Sequence, residues 1–123
     1  MPVKVVDASA VAAILFNEPD AKKILDQIAD DSLLASPLLT IELTSVCLKK
    51  IRIRPRQRDL LLGSFQLLRR LEIAITPVDH LEVIMLAEST SLTIYDGCYL
   101  WLAREFHCEL LTLDRKLAAA LKN

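Results

Sequence analysis

The feature that most constrains the fold is the alternation of short β-rich runs with longer helical stretches. Such runs lie at residues 3–6, 33–35, 73–78 and 109–113. Between them apolar residues recur three or four positions apart, as in Ala21, Ile24 and Ile28, which is typical of helices. No hairpin signal such as Asn-Gly joins two runs. The pattern predicts an α/β fold, a three-layer α/β/α arrangement around a parallel sheet of about four to five strands.

Composition places this fold in one domain spanning residues 1–123. Hydrophobic residues make up 53% of the chain and only two residues are glycine, which excludes disorder and low complexity. No apolar run approaches the ~18 residues of a membrane span, and we expect no signal peptide or membrane partner. Three cysteines without a Cys-x-x-Cys motif indicate reduced thiols in a cytoplasmic protein.

Four acidic residues stand out because their neighbours are apolar. Asp7 follows the first β-rich run and Asp114 the last. Glu42 lies within LLTIELTSV and Asp96 within SLTIYDGCYLWLA. A carboxylate is rarely buried without a partner, because its desolvation is costly. Structural roles are also open to each: Asp7 and Asp114 can cap the helices that follow. Asp96 can form a capping box with Thr93, and Glu42 can face solvent.

The topology predicts that these acids meet at one edge of the sheet. Asp7 and Asp114 directly follow parallel strands, so their side chains emerge at the carboxyl edge, where ligands bind in such sheets. Glu42 lies one turn into a helix after the second strand, and Asp96 opens the helix that leads into the last. Gathered carboxylates repel one another, and a divalent cation removes that cost. Oxygen ligands favour Mg²⁺ or Mn²⁺, which activate water and stabilise charge on a phosphoryl group.

Four segments resemble the PIN domain, and more closely the toxin nucleases of the VapBC type. They are VVDASAV, IELTSV, YDGCYLWLA and LLTLD, and the steps of 35, 54 and 18 residues between their acids are similar to that family. The resemblance implies a catalytic acidic quartet that holds Mg²⁺ or Mn²⁺ and hydrolyses RNA, formed by Asp7, Glu42, Asp96 and Asp114.

The resemblance also implies supporting residues and partners. Ser9 matches a small hydroxyl residue after the first Asp, and Thr112 a hydroxyl residue that precedes the last. Gly97 departs from the family, in which many members carry Ala. The implied protein is the toxin of a type II toxin–antitoxin pair. It forms a homodimer and is inhibited by a small VapB-like antitoxin that inserts near the acidic pocket.

A basic segment at residues 49–58, KKIRIRPRQR, interrupts an otherwise acidic chain. It holds six basic residues and no acid, whereas the whole chain has a net charge of −1. Such a cluster indicates either a polyanion such as RNA or a solvated helix end whose cations complement the helix dipole. The candidate RNA-binding residues are Lys49, Lys50, Arg52, Arg54, Arg56 and Arg58.

Other residues carry less functional signal. His80 and His107 lack a nucleophile motif, so neither is expected to be catalytic. We expect Tyr95 and Tyr99 in the core rather than stacked on bases, and Trp101 in the core or at a dimer contact.

The sequence favours a metal-dependent endoribonuclease over three alternatives. A PIN nuclease of RNA maturation without an antitoxin fits the same residues. A signalling receiver domain shares the sheet but needs paired acids after its first strand, where Ala8 follows Asp7. A PIN-like domain that has lost catalysis is disfavoured because all four acids are present.

Overall fold

The computed structural model describes residues 2–122. It consists of a parallel four-stranded sheet with helices on both faces. The strands are β1 (Val3–Val6), β2 (Ser32–Ala35), β3 (Ala74–Ile75) and β4 (Glu109–Leu111). The helices are α1 (Ala8–Leu15), α2 (Ala21–Ile28), α3 (Leu39–Ile53), α4 (Arg58–Gln66), α5 (His80–Thr90), α6 (Ile94–Glu105) and α7 (Arg115–Ala120). The predicted three-layer α/β/α fold is confirmed.

The strand order is β3-β2-β1-β4, and every pair is parallel. Val5 of β1 pairs with Leu34 on one side and Leu110 on the other. β1 is therefore an interior strand, and Val5 and Val6 are fully buried. The chain adds β2 and β3 on one side of β1 and then returns to place β4 on the other. This reversal of strand order lies between β1 and β4, the position where open parallel sheets form ligand crevices.

β3 is shorter than the predicted strand at residues 73–78. One hydrogen bond extends its pairing, since the Thr76 N–H donates to the Ala35 carbonyl oxygen at 2.9 Å. Pro77 follows and has no N–H to donate, so the ladder stops there.

β4 also ends earlier than the predicted residue 113. The N–H groups of Leu113 and Asp114 donate to the hydroxyl oxygens of Ser9 and Thr112, at 2.9 and 3.0 Å, rather than to a neighbouring strand. The last residues of the expected strand thus belong to a side-chain network at the carboxyl edge.

The helical segment around α4 is not uniform. It starts with a 3₁₀ turn at Pro55–Gln57, continues as α4 and closes with a second 3₁₀ turn at Leu67–Leu71. It ends at Glu72, whose φ of 52° is left-handed and incompatible with a helix.

The core is aliphatic, as the composition predicts. Leu39 and Leu43 of α3 are buried, as are Leu100 and Leu102 of α6. Gly97 permits a close approach of α5 and α6, because a Cβ added there would lie 3.3 Å from the Ala87 Cβ. The three cysteines are free. None of the helices in residues 2–122 is long and apolar enough to cross a membrane.

Candidate active site

Asp7 is the buried centre of the carboxyl edge. It directly follows β1, and its side chain is only 4% exposed. Its Oδ1 accepts hydrogen bonds from the Ala10 N–H at 3.0 Å and the Ser9 hydroxyl at 2.7 Å. Its Oδ2 accepts one from the Thr112 hydroxyl. Burial raises the pKa of the Asp7 carboxyl, and these donors offset only part of that effect. Asp7 therefore caps α1, and burial makes its ionised form unfavourable.

Ser9 and Thr112 tie the ends of β1 and β4 together around Asp7. Each hydroxyl donates to the Asp7 carboxylate and accepts from a backbone N–H that follows β4, that of Leu113 for Ser9 and that of Asp114 for Thr112. Both hydroxyls are thus oriented by two partners. This network fixes the carboxylate at the switch in strand order.

Glu42 lies in the first turn of α3 and is partly buried. Its Oε1 accepts a hydrogen bond from the Tyr99 hydroxyl at 2.8 Å. Burial is the largest cause that raises the pKa of Glu42, and the nearby charges of Asp7 and Asp96 add to it, whereas the Tyr99 bond lowers it. Glu42 therefore turns toward the other acids rather than toward open solvent.

Tyr99 is the residue that sequence reasoning missed at this site. It is 1% exposed, as expected of a core residue, yet its hydroxyl reaches Glu42 across the α3–α6 interface. Burial and the Glu42 charge raise the pKa of Tyr99 far above its usual value, so the phenol stays a donor. The available signal was its position three residues after Asp96, because that spacing places both side chains on one helix face.

Asp96 and Asp114 complete the acidic edge. Asp96 is in the first turn of α6, where its N–H donates to the Thr93 hydroxyl at 3.1 Å. Burial raises the pKa of Asp96, and the charges of Asp114 and Asp7 raise it further. Asp114 caps α7 through a 3.0 Å hydrogen bond from the Leu117 N–H to its Oδ1. Asp7 and Asp96 thus lie within electrostatic reach of both Glu42 and Asp114.

The donor set suits a hard divalent cation. All four side chains are carboxylates. Burial raises the pKa values of Asp7, Glu42 and Asp96, and the charges of neighbouring acids add to the effect. Within residues 2–122 no three acidic, His or Cys side chains stand close enough to enclose an ion by themselves. That arrangement fits Mg²⁺, which keeps several waters and binds one or two carboxylates together with substrate phosphates.

The basic segment does not join this edge. α3 carries it away from Glu42, and the ten residues to Arg52 correspond to about 15 Å along the helix. Lys50 pairs with Glu18 at 2.6 Å and lies over the Phe16 ring. Arg58 pairs with Asp59 at 3.1 Å. The other four basic residues are exposed.

Of the remaining aromatic residues, Tyr95 differs from expectation. It is 55% exposed and therefore does not belong to the core. Trp101 is partly exposed, and its Nε1–H donates to Glu82 Oε1 at 3.1 Å, which links α6 to α5. His80 and His107 are both exposed.

Comparison with known protein families identifies the family of this chain. The family model described as PIN domain matches residues 4–122. The chain is a member of the PIN domain family. PIN domains are generally nucleases that use divalent metal ions, so the acidic edge lies on a nuclease fold.

A solved structure supports the fold. The crystal structure of PAE2754 from Pyrobaculum aerophilum is similar to this PIN domain with a TM-score of 0.74 and 22% sequence identity. The match covers 97% of this chain and 84% of that one. A search of curated proteins finds no match.

Proposed function

We propose that this PIN domain is a Mg²⁺- or Mn²⁺-dependent endoribonuclease and the toxin of a VapBC-type toxin–antitoxin pair in the cytoplasm. The observation that carries the nuclease activity is the convergence of Asp7, Glu42, Asp96 and Asp114 at the carboxyl edge. Burial, and to a smaller extent repulsion by neighbouring carboxylates, makes the charged forms of Asp7, Glu42 and Asp96 costly without a counter-ion. A site in a nuclease fold where ionised carboxylates are unfavourable without a counter-ion is suited to hold a cation.

The chain's own groups then have distinct roles. Asp7, Glu42 and Asp96 would hold the ion directly or through its water ligands, and the ion would activate water and neutralise charge on the phosphoryl group. Ser9, Thr112 and Tyr99 orient these carboxylates through the hydrogen bonds described above. Asp114 uses Oδ1 to cap α7. Its Oδ2 accepts no hydrogen bond within residues 2–122, so it is available to orient the attacking water in line with phosphorus.

Two protein partners follow from the toxin assignment. A VapB-like antitoxin would cover the acidic edge, and a second copy would form a homodimer. The exposed apolar residues of α5 support a protein partner: Leu81, Ile84 and Met85 are each more than half exposed and share one helix face. Exposed cations of the basic segment, above all Arg52, Arg54 and Arg56, would contact RNA phosphates.

A PIN nuclease of RNA maturation without an antitoxin remains the second candidate, because the same acidic edge serves it. A small gene for a DNA-binding-like protein directly upstream would favour the toxin. The receiver-domain alternative loses its support, since the chain belongs to the PIN family and Ser36, not an acid, follows β2.

The test is cleavage of total RNA with and without Mg²⁺ or Mn²⁺, followed by mapping of the cut ends. Wild-type protein should cut internally only with the ion. Asp7→Asn and Asp96→Asn should lose at least about a thousandfold in rate. Asp26→Asn, at an exposed position on α2, is the matched control and should cleave normally. Equal cleavage in EDTA, or by Asp7→Asn, would refute a metal-dependent acidic site.

A further inference from the structure

A polar groove lies between the end of α5 and helices α6 and α7. Its volume is about 470 Å³, and it is lined by Ser89–Ser91, Arg104, Lys116 and two alanines at the end of α7. We refer to it as the Arg104–Lys116 groove. No local pattern in the sequence indicates this groove, because its two cations belong to different helices and lie outside the basic segment.

The groove is positively charged and uncompensated. No acidic residue lines it. Within residues 2–122, neither Arg104 nor Lys116 forms an ion pair. Lys50 and Arg58 of the basic segment, in contrast, are each paired with an acid. Two unpaired cations in one concave surface of a chain with net charge −1 indicate a site for an anion.

Hydroxyl groups add to this donor set. The Ser89 and Thr90 hydroxyls donate to the Leu86 carbonyl oxygen at 3.1 and 2.7 Å, as helix-end residues often do. The Ser91 hydroxyl forms no side-chain hydrogen bond with any residue in the described range 2–122. Ser91 has a left-handed φ of 60° that ends α5 at the groove. A guanidinium, an ammonium and a hydroxyl are the donors that phosphate oxygens accept.

The groove adjoins the candidate active site. Lys116 is two residues beyond Asp114, in the first turn of α7. A strand with one phosphate at the acidic edge can therefore extend into the groove.

We infer that the Arg104–Lys116 groove binds a phosphodiester of the RNA strand next to the one that is cut. The inference rests on the proposed ribonuclease function and deepens it. The planar fork of Arg104 suits two oxygens of one phosphate, and Lys116 neutralises charge close to the acidic edge, where four carboxylates would otherwise repel the strand.

The experiment measures binding of a fluorescent single-stranded RNA to the full chain in EDTA, by anisotropy, over a range of salt concentrations. The variant is Arg104→Gln with Lys116→Gln. The matched control is Lys22→Gln with Lys23→Gln, which removes the same charge from exposed positions on α2. The groove variant should bind about tenfold or more weakly, and the slope of log K against log salt should flatten by about 0.7, the value for one lost phosphate contact.

The control should keep the wild-type salt slope within about 0.3. Equal melting temperatures of the three proteins exclude misfolding, which is not expected because both groove side chains are exposed. Should the two variants weaken RNA binding equally while the wild type binds and cleaves RNA, the groove is refuted and the ribonuclease stands. Should the wild type neither bind nor cleave RNA, both proposals fail.

Discussion

The four acids of the carboxyl edge and the six cations of the basic segment differ in their spacing along the chain and in their exposure to solvent. The acids are spread over more than a hundred residues, yet the sheet brings them within electrostatic reach. The cations lie within ten consecutive residues, yet α3 and the turn after it leave most of them separate in solvent.

This difference shows that a small α/β domain can orient side chains that are distant in sequence better than exposed side chains that are adjacent in sequence. Asp7 and Glu42 are held by hydrogen bonds from Ser9, Thr112 and Tyr99, and burial changes their affinity for protons. Exposed cations are screened by water and salt, so they can add to the affinity for RNA but do little to orient it. The following predictions test this contrast.

The largest effect is expected for Glu42→Gln. The variant keeps the size of the side chain but removes a charge from the edge, so RNA turnover should fall by about a thousandfold. The melting temperature without metal should stay level or rise, because repulsion is relieved. Glu88→Gln, at an exposed position on α5, should change neither. Near-normal turnover by Glu42→Gln would reduce the site to three aspartates.

A smaller loss is expected for Tyr99→Phe, which removes the only side-chain donor to Glu42 found within residues 2–122. Loss of a residue that orients a ligand typically costs about 10–100-fold in metal affinity or activity. The affinity for Mn²⁺, measured by electron paramagnetic resonance, and the rate of RNA cleavage should both fall.

Tyr95→Phe is the matched control, since it removes the same hydroxyl from an exposed position one turn away. Wild-type Mn²⁺ affinity in Tyr99→Phe would mean that the phenol only fills the core.

A third prediction concerns pH. The pKa of Asp7 in the fold lies above its ordinary 3.8, so the folded state binds this proton more tightly than the unfolded chain. The resulting stability is fully present below about pH 4 and is lost as the pH rises through the raised pKa. In EDTA, Asp7→Asn should therefore melt a few degrees above wild type at neutral pH.

The gap between the two melting curves should close as the pH falls toward about 3.5, and millimolar Mn²⁺ should narrow it at neutral pH by stabilising only the wild type. A gap that is constant with pH would show that ionisation of Asp7 does not destabilise the fold.

The smallest effect is expected for Arg52→Ala with Arg54→Ala and Arg56→Ala. Loss of phosphate contacts should weaken RNA binding and lower its salt slope, by about 0.7 for each contact, while turnover at saturating RNA falls less. An unchanged slope would assign the segment to helix solvation.

Local signals predicted much of this molecule. β-branched residues at 3–6 indicated β1, and the capping residues Asp79 and Thr93 marked where α5 and α6 begin. The strand ends were less predictable. β4 stops at Leu111 because the next N–H groups bind side-chain hydroxyls, and one of these belongs to Ser9, more than a hundred residues away.

The sequence by itself determined the alternation of strands and helices and the parallel sheet, because those follow from periodicity and caps. It also singled out the four acids as candidates, because their charges lie in apolar surroundings. Only the tertiary structure decided which groups surround each acid. The Tyr99 bond to Glu42 and the pairing of Arg104 with Lys116 in one groove arise from helices that are distant along the chain. Contacts of this kind depend on how helices pack on the sheet, and no local pattern encodes them.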